Sequence, residues 1–70
     1  MVLHFEGELT MLVVRSIDYR YWTGEAWTLN VNEAKTYPLG GGYEDCQDEA
    51  ARIRAEMRVI CYPTYLRTAQ

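Results

Sequence analysis

The hydrophobic positions of this chain first suggest three strands. The run "LTMLVVRSI" is almost uninterrupted in aliphatic and β-branched residues, which predicts a strand buried on both faces. "DYRYW" and "AWTLNV" are two further strand-like runs on either side of "TGE". Gly24 and Glu25 suit a two-residue type II′ turn, which requires glycine first, so the two runs are predicted to form a hairpin.

The hairpin register predicts which aromatic side chains are packed. With Thr23 opposite Ala26, Trp22 lies opposite Trp27, and side chains alternate between the two faces from there. We expect the tryptophans on the core face and the tyrosines on the exposed one; a slip of one residue would reverse this. The core face then carries Arg20, Trp22, Trp27, Leu29 and Val31, and the other face carries Tyr19, Tyr21, Thr28 and Asn30.

A helical period follows in "YEDCQDEAARIRAEM", residues 43–57. Its apolar residues recur at i, i+4, i+7 and i+11, which predicts one buried stripe of Cys46, Ala50, Ile53 and Met57. Acidic residues crowd the first turns and arginines the later ones, as the helix dipole favours. The sequence therefore predicts one amphipathic helix.

The remaining segments predict connections and a last strand. Asn32 suits the N-cap of a single helical turn over 33–35, and Pro38 with "GGG" breaks regular structure. "VICY" reads as a final strand that Pro63 ends, which leaves 66–70 as a tail. At the start, "VLHF" within residues 1–8 is either an edge strand or flexible, in which case Met11 begins the ordered part.

Together these elements predict a single domain over residues 1–70 with an α+β fold: a small antiparallel sheet of three to four strands packed against one amphipathic helix, in the order β-β-β-α-β. Seventy residues lie near the lower limit for folding on a hydrophobic core alone. A core this small does not enclose two Trp, six Tyr and one Phe completely, so some aromatic surface is expected outside.

The net charge of −3 disfavours phosphate backbones and anionic membrane surfaces as partners. The longest apolar run, "MLVV", is too short to span a bilayer, and "MVLHFEGELT" has acids but no base, unlike a signal peptide. These features predict a cytoplasmic protein that contacts neither nucleic acid directly nor membrane.

Candidate catalytic groups are few, and no enzyme is predicted. His4, the only histidine, lies in the least defined part of the chain. Cys46 and Cys61 are spaced for neither a redox pair nor a zinc site, so we expect two small buried hydrophobes; the alternative is a disulfide between them. The acids that flank Cys46 would raise its pKa and oppose thiolate formation, and they outweigh its place at a helix start.

Cofactor and metal motifs are also missing. "LGGGYED" is rich in glycine and leads into a helix, but it has no Lys or Arg and does not match the phosphate-binding loop. "EDCQDE" lacks the spacing of a calcium loop, and on a helix its acids point in several directions. No cofactor and no metal ion are predicted.

Two surfaces are candidates for binding protein. Glu44 with Asp48, and Asp45 with Glu49, form i, i+4 pairs of like charge that each cost a few tenths of a kcal/mol. Their clustering suggests an acidic patch for a basic partner such as a nucleic-acid-binding groove; the alternative is an ordinary solvated helix start. The second surface is aromatic, with Tyr19 and Tyr21 as interface anchors. Tyr62 and Tyr65 would extend it if the last strand is adjacent. The alternatives for these tyrosines are cross-strand packing and base stacking.

The run "YRYWTGEAWTLNVNEAKTY", followed by a helix of "EAARI" type, resembles small phage- and prophage-encoded accessory proteins of β-hairpin–helix–strand type. The match covers about half of the chain, and "GGGYEDCQDE" departs from it by its extra glycine and acid. The resemblance carries no catalytic position, because it rests on fold residues alone: Tyr21, Trp22, Gly24, Trp27, Thr28, Ala34, Lys35 and Tyr37.

The resemblance implies a class of function. Short acidic phage proteins without catalytic motifs, such as anti-CRISPR proteins, often bind and block a host machine. We therefore expect a protein-binding inhibitor that occludes a host protein or ribonucleoprotein complex in the bacterial cytoplasm, as a monomer or homodimer. The alternative is a structural or homo-oligomerisation module that pairs through tyrosines and an edge strand; a small nucleic-acid binder ranks third.

Overall fold

A computed structural model describes residues 9–68 of the chain and confirms the α+β class. The "VLHF" segment and His4 lie outside the described residues. The elements in chain order are β1 (Leu9–Ser16), β2 (Tyr21–Trp22), β3 (Trp27–Thr28), a 3₁₀ turn (Val31–Glu33), α1 (Tyr43–Met57) and β4 (Cys61–Thr68). Within this part of the chain the strands form one antiparallel sheet in the spatial order β3-β2-β1-β4, which differs from their order in the sequence.

β1 is the centre of the sheet. It pairs with β4 from Leu9 opposite Thr68 to Ser16 opposite Cys61, and with β2 on its other side. The consecutive residues Leu12, Val13 and Val14 are all fully buried. The prediction of a strand buried on both faces is therefore confirmed.

β4 corrects the prediction for the end of the chain. The strand does not stop at Pro63 but passes through it, with Pro63 opposite Val14, and continues to Thr68. Proline lacks a backbone N–H, which a central strand needs on both sides but an edge strand does not. Because β4 lies at the sheet edge, the proline is accommodated, and residues 66–68 are strand rather than tail.

The hairpin has the predicted register. Trp22 lies opposite Trp27 with ring centroids 5.2 Å apart, and the Thr23 N–H donates to the Ala26 carbonyl at 2.8 Å. Gly24 has a φ of 107°, a conformation that favours glycine. However, each strand has only two residues. Leu29, predicted on the core face, is 71% exposed because β3 has already ended at Thr28.

The segment before β2 is a turn rather than the predicted strand. The Ser16 N–H donates to the Arg20 carbonyl at 2.8 Å, and the Arg20 N–H donates to the Ser16 hydroxyl at 3.0 Å. The Ser16 hydroxyl also donates to the Asp18 carboxylate. Tyr19, at the tip, has a φ of 65°. These hydrogen bonds form a tight turn, so the alternation of side chains between the two sheet faces starts only at Tyr21.

The predicted cap of the short turn is displaced by two residues. Asn30, not Asn32, is the N-cap, and its side-chain oxygen accepts a hydrogen bond from the Asn32 N–H at 3.0 Å. The Glu33 carboxylate accepts from the Thr28 hydroxyl at 2.8 Å, which ties the turn to the end of β3. The turn therefore begins earlier than the sequence suggested.

Helix α1 has the predicted bounds, and it covers one face of the sheet. Cys46, Ala50 and Ile53 are buried as predicted, whereas Met57 is 45% exposed. Met57 is the last residue of the helix, and Arg58 turns the chain away with a φ of 60°. The core between helix and sheet consists of Leu12, Val14, Trp22, Tyr37, Cys46, Ala50, Ile53 and Cys61.

Candidate functional site

Three of the four predicted acidic residues form an exposed surface on the first turns of α1. We call Glu44, Asp45 and Asp48 the acidic face. All three side chains are exposed, and within residues 9–68 none has an ion-pair or hydrogen-bond partner. Their negative charge is therefore not neutralised within the described fold and is available to a second molecule.

Glu49 has a different place. Its Oε2 accepts hydrogen bonds from Trp22 Nε1 and from the Arg52 guanidinium, both at 2.8 Å, and its side chain is only 20% exposed. Burial alone would raise the pKa of Glu49, but the hydrogen bonds from Trp22 and Arg52 outweigh burial and leave the pKa below its usual value. The structure thus places Glu49 in the contact between helix and hairpin, not on the acidic face.

The predicted tyrosine anchors share one neighbour but differ in exposure. Tyr19 is 63% exposed, and the Arg15 guanidinium lies 4.6 Å from its ring centroid. Tyr21 lies opposite Arg15 in the sheet and is half-buried. Tyr62 pairs with Arg15 from the other side and is exposed. Arg15 is therefore the shared neighbour of these tyrosines on the sheet face opposite to the helix, although the Tyr62 ring also contacts the Arg54 guanidinium of α1, 5.1 Å from its centroid.

Tyr65 does not extend that group. It stacks on Tyr43 at the start of α1, with centroids 6.2 Å apart, and so lies on the helix side. Tyr62 and Tyr65 are three residues apart in a strand, which puts them on opposite faces. The acidic face and the tyrosines around Arg15 are therefore two separate surfaces.

A groove that the sequence did not predict lies beside the acidic face. It has a volume of about 520 Å³ and runs between α1 and the segment 35–38. That segment is held against the sheet, because the Lys35 N–H donates to the Trp22 carbonyl at 2.8 Å and the Tyr37 N–H to the Leu12 carbonyl at 2.9 Å. The groove is lined by Lys35, Thr36, Tyr37, Pro38, Asp45, Asp48, Glu49 and Arg52.

Tyr37 is the buried polar group of this groove. The residue is 7% exposed, and its hydroxyl has no hydrogen-bond partner among residues 9–68. Burial, followed by the charge of Glu49, raises the pKa of Tyr37 to about 12, so the hydroxyl stays protonated at neutral pH. Sequence reasoning missed this residue as a site; the only signal was an aromatic residue directly before Pro38.

Both cysteines are free and buried, as predicted. Burial, followed by the charge of Glu49, raises the pKa of Cys46 to about 11, and burial also raises that of Cys61. The Cys61 thiol lies 3.6 Å from the Ala50 carbonyl. A raised pKa lowers the thiolate fraction, so both thiols are weak nucleophiles at neutral pH.

These shifts predict a loss of stability in alkali. Cys46 and Tyr37 ordinarily titrate near pH 9.0 and 10.0, but in the fold they do so near 11 and 12. Their protonated forms therefore stabilise the fold below about pH 9, and this contribution is lost as the pH rises to about 12. The urea concentration at the unfolding midpoint should fall as the pH is raised from 8 to 11. Above pH 10 this fall should be less steep for Tyr37→Phe, which lacks the titrating hydroxyl, than for the control Tyr19→Phe. A flat profile would contradict the burial of these groups.

Three further features concern metal ligands, membrane-spanning helices and similarity to known proteins. Among residues 9–68, no group of three His, Cys, Asp or Glu side chains is arranged to hold a metal ion. No helix in this range has the length and hydropathy to cross a membrane. Comparisons with family models, curated proteins and solved structures find no match. The resemblance to phage accessory proteins therefore stays a prediction.

Proposed function

We propose that this chain is a small non-catalytic protein-binding module whose acidic face receives a basic surface of another protein. The observation that carries the proposal is that Glu44, Asp45 and Asp48 stand side by side, exposed and without partners among the described residues. Glu44 and Asp48 repel each other at i, i+4, a cost that a fold under selection for stability alone would relieve. A basic partner turns this repulsion into attraction.

The narrower proposal is a phage-type, anti-CRISPR-like inhibitor of a bacterial nucleic-acid-handling complex, acting in the host cytoplasm. The resemblance and the acidic face support it, because a groove built for phosphates is basic and attracts clustered carboxylates. The mechanism would be occlusion: the acidic face enters the groove and the body of the domain blocks access. Tyr19, exposed on the separate aromatic surface, is proposed as an additional anchor, with Tyr21 as its half-buried support.

The test is capture from nuclease-treated bacterial lysate with tagged protein, compared with Glu44→Lys/Asp48→Lys. This variant changes the net charge from −3 to +1 and reverses the acidic face. The control Glu25→Lys/Glu56→Lys makes the same change of net charge elsewhere on the surface. We expect one stoichiometric host complex with the wild type and the control, and none with the first variant. Equal capture by both variants would refute the acidic face as the contact.

A homo-oligomerisation module is the second candidate, and β4 is the observation that favours it. β4 is an eight-residue strand at the sheet edge, paired within the described residues only with β1. Tyr62 and Tyr65 are exposed on it at 53% and 55%. An edge strand can pair with a second copy through its free backbone groups. Light scattering at micromolar concentration should then give twice the mass of 8.2 kDa, whereas a monomer mass would exclude this candidate.

A further inference from the structure

Backbone hydrogen bonds define both walls of the groove between α1 and residues 35–38. Its far wall is fixed by the backbone bonds of Lys35 and Tyr37 to the sheet. The two walls are joined by Gly42, the N-cap of α1, whose N–H donates to the Pro38 carbonyl at 2.7 Å, and a Cβ on Gly42 would lie 2.4 Å from that oxygen. Only glycine permits this approach. The groove is therefore formed by the fold in advance of any ligand.

The Tyr37 hydroxyl is the second independent feature of the groove. A buried hydroxyl without a hydrogen bond is costly, and such groups in proteins are ordinarily paired. Tyr37 lines the same groove as Asp45 and Glu49. A fold built for stability alone would carry phenylalanine here. The unpaired hydroxyl points to a polar partner that is supplied from outside.

The charges of the groove favour a cation. The α1 side of the groove carries Asp45, Asp48, Glu49 and Arg52, and the opposite side carries Lys35. Arg52 is already held by Glu49 and by Glu56 at 3.0 Å, and Glu49 by Trp22. Among residues 9–68, Asp45 and Asp48 therefore remain as two unpaired carboxylates against the ammonium of Lys35, and the uncompensated charge of the groove is negative.

The separation between the carboxylates of the groove favours one kind of cation over others. The carboxylates do not converge as metal ligands do among residues 9–68. A guanidinium, by contrast, is planar and carries five N–H donors that reach several acceptors at once. It can pair with carboxylates and also donate to a phenol oxygen, which an ammonium point charge does less well.

We propose that this groove binds an arginine side chain of the partner protein, with the guanidinium paired to Asp45 and Asp48 and donating to the Tyr37 hydroxyl. This inference rests on the proposed protein-binding function and names the residue type that the acidic face recognises. It also gives the Tyr37 hydroxyl a partner that residues 9–68 do not provide.

The first experiment is a titration of the ¹⁵N-labelled full chain with N-acetyl-arginine methylamide, followed by NMR. We expect saturable shifts, with a millimolar dissociation constant, in the amides of residues 35–37 and 45–49. The matched control is N-acetyl-citrulline methylamide, which has nearly the same shape without the charge and should cause no saturable shift. N-acetyl-lysine methylamide should bind several-fold more weakly. Equal shifts with arginine and citrulline would overturn the proposal.

Two pairs of variants locate the site. Tyr37→Phe removes only the hydroxyl, so we expect about tenfold weaker arginine binding, the usual loss for a hydrogen bond to a charged group. Because the lost hydroxyl was unpaired, the urea midpoint should stay equal or rise. Asp45→Asn should also weaken arginine binding, whereas Glu25→Gln, at an exposed position that does not line the groove, should not. If Tyr37→Phe lowered stability and left arginine binding unchanged, the hydroxyl would be structural and the proposal wrong.

The outcomes also separate this inference from the proposed function. If host capture depends on the acidic face but Tyr37→Phe and citrulline make no difference, the groove proposal falls and the binding module stands. If the groove binds arginine but no host complex is captured, the arginine site stands and the proposed target class falls.

Discussion

Trp22→Ala is expected to remove a large share of the free energy of unfolding at 25 °C. Trp22 is 3% exposed, packs on Trp27, and lies in the core between the helix and the sheet. Replacing a buried aromatic residue by alanine costs about 3–5 kcal/mol. The total stability of a 70-residue domain is about 4–10 kcal/mol. Circular dichroism and urea unfolding check this expectation.

The matched control for this prediction is Leu29→Ala. Leu29 is a large apolar residue of the same hairpin region, but it is 71% exposed, so its loss should change stability by less than about 0.5 kcal/mol. If Trp22→Ala and Leu29→Ala unfolded at similar urea concentrations, the hairpin would not be packed as described.

Glu49→Ala is expected to lower the free energy of unfolding by about 1–3 kcal/mol at pH 7, because it removes hydrogen bonds to a charged acceptor. The substitution leaves the Trp22 indole N–H without its acceptor and takes one of two carboxylates from Arg52. Asp48→Ala, at an exposed site without a partner among the described residues, should cost less than about 0.5 kcal/mol. Urea unfolding of both variants provides the comparison.

The difference between wild type and Glu49→Ala should depend on pH in one direction. The pKa of Glu49 is lowered in the fold, so its contribution is present above its ordinary value of 4.5 and is lost as the pH falls further. The two proteins should therefore converge in acid. A difference that persisted unchanged at pH 3 would contradict the charged hydrogen bonds to Trp22 and Arg52.

Within the acidic cluster, Glu49 supports the packing of the fold whereas Asp48 lies on its surface. Sequence reasoning did not make this distinction. On a helix, Asp45 and Glu49 are equivalent by spacing, and both follow the rule that acids favour the first turns. What distinguishes Glu49 is a tryptophan 27 residues away, brought to it by the packing of hairpin on helix. No local pattern contains that information.

The features that the sequence did predict are those with local causes. The bounds of α1 follow from its apolar period, and the hairpin register follows from the turn at Gly24. The end of β4 depended instead on Pro63 lying at a sheet edge, which is a property of the whole sheet. The burial of Tyr37 likewise depends on its bridge to Leu12, 25 residues earlier in the chain.

Recognition of a partner through the acidic face is tested by the association rate of the chain with its captured host complex, measured at two salt concentrations. If the acidic face steers binding, Glu44→Lys/Asp48→Lys should slow association about tenfold or more at low salt, and high salt should reduce the wild-type rate toward the variant's. Glu25→Lys/Glu56→Lys, with the same net charge, should associate much faster than the acidic-face variant. Equal rates for the two variants, or a wild-type rate that does not change with salt, would contradict recognition through Glu44, Asp45 and Asp48.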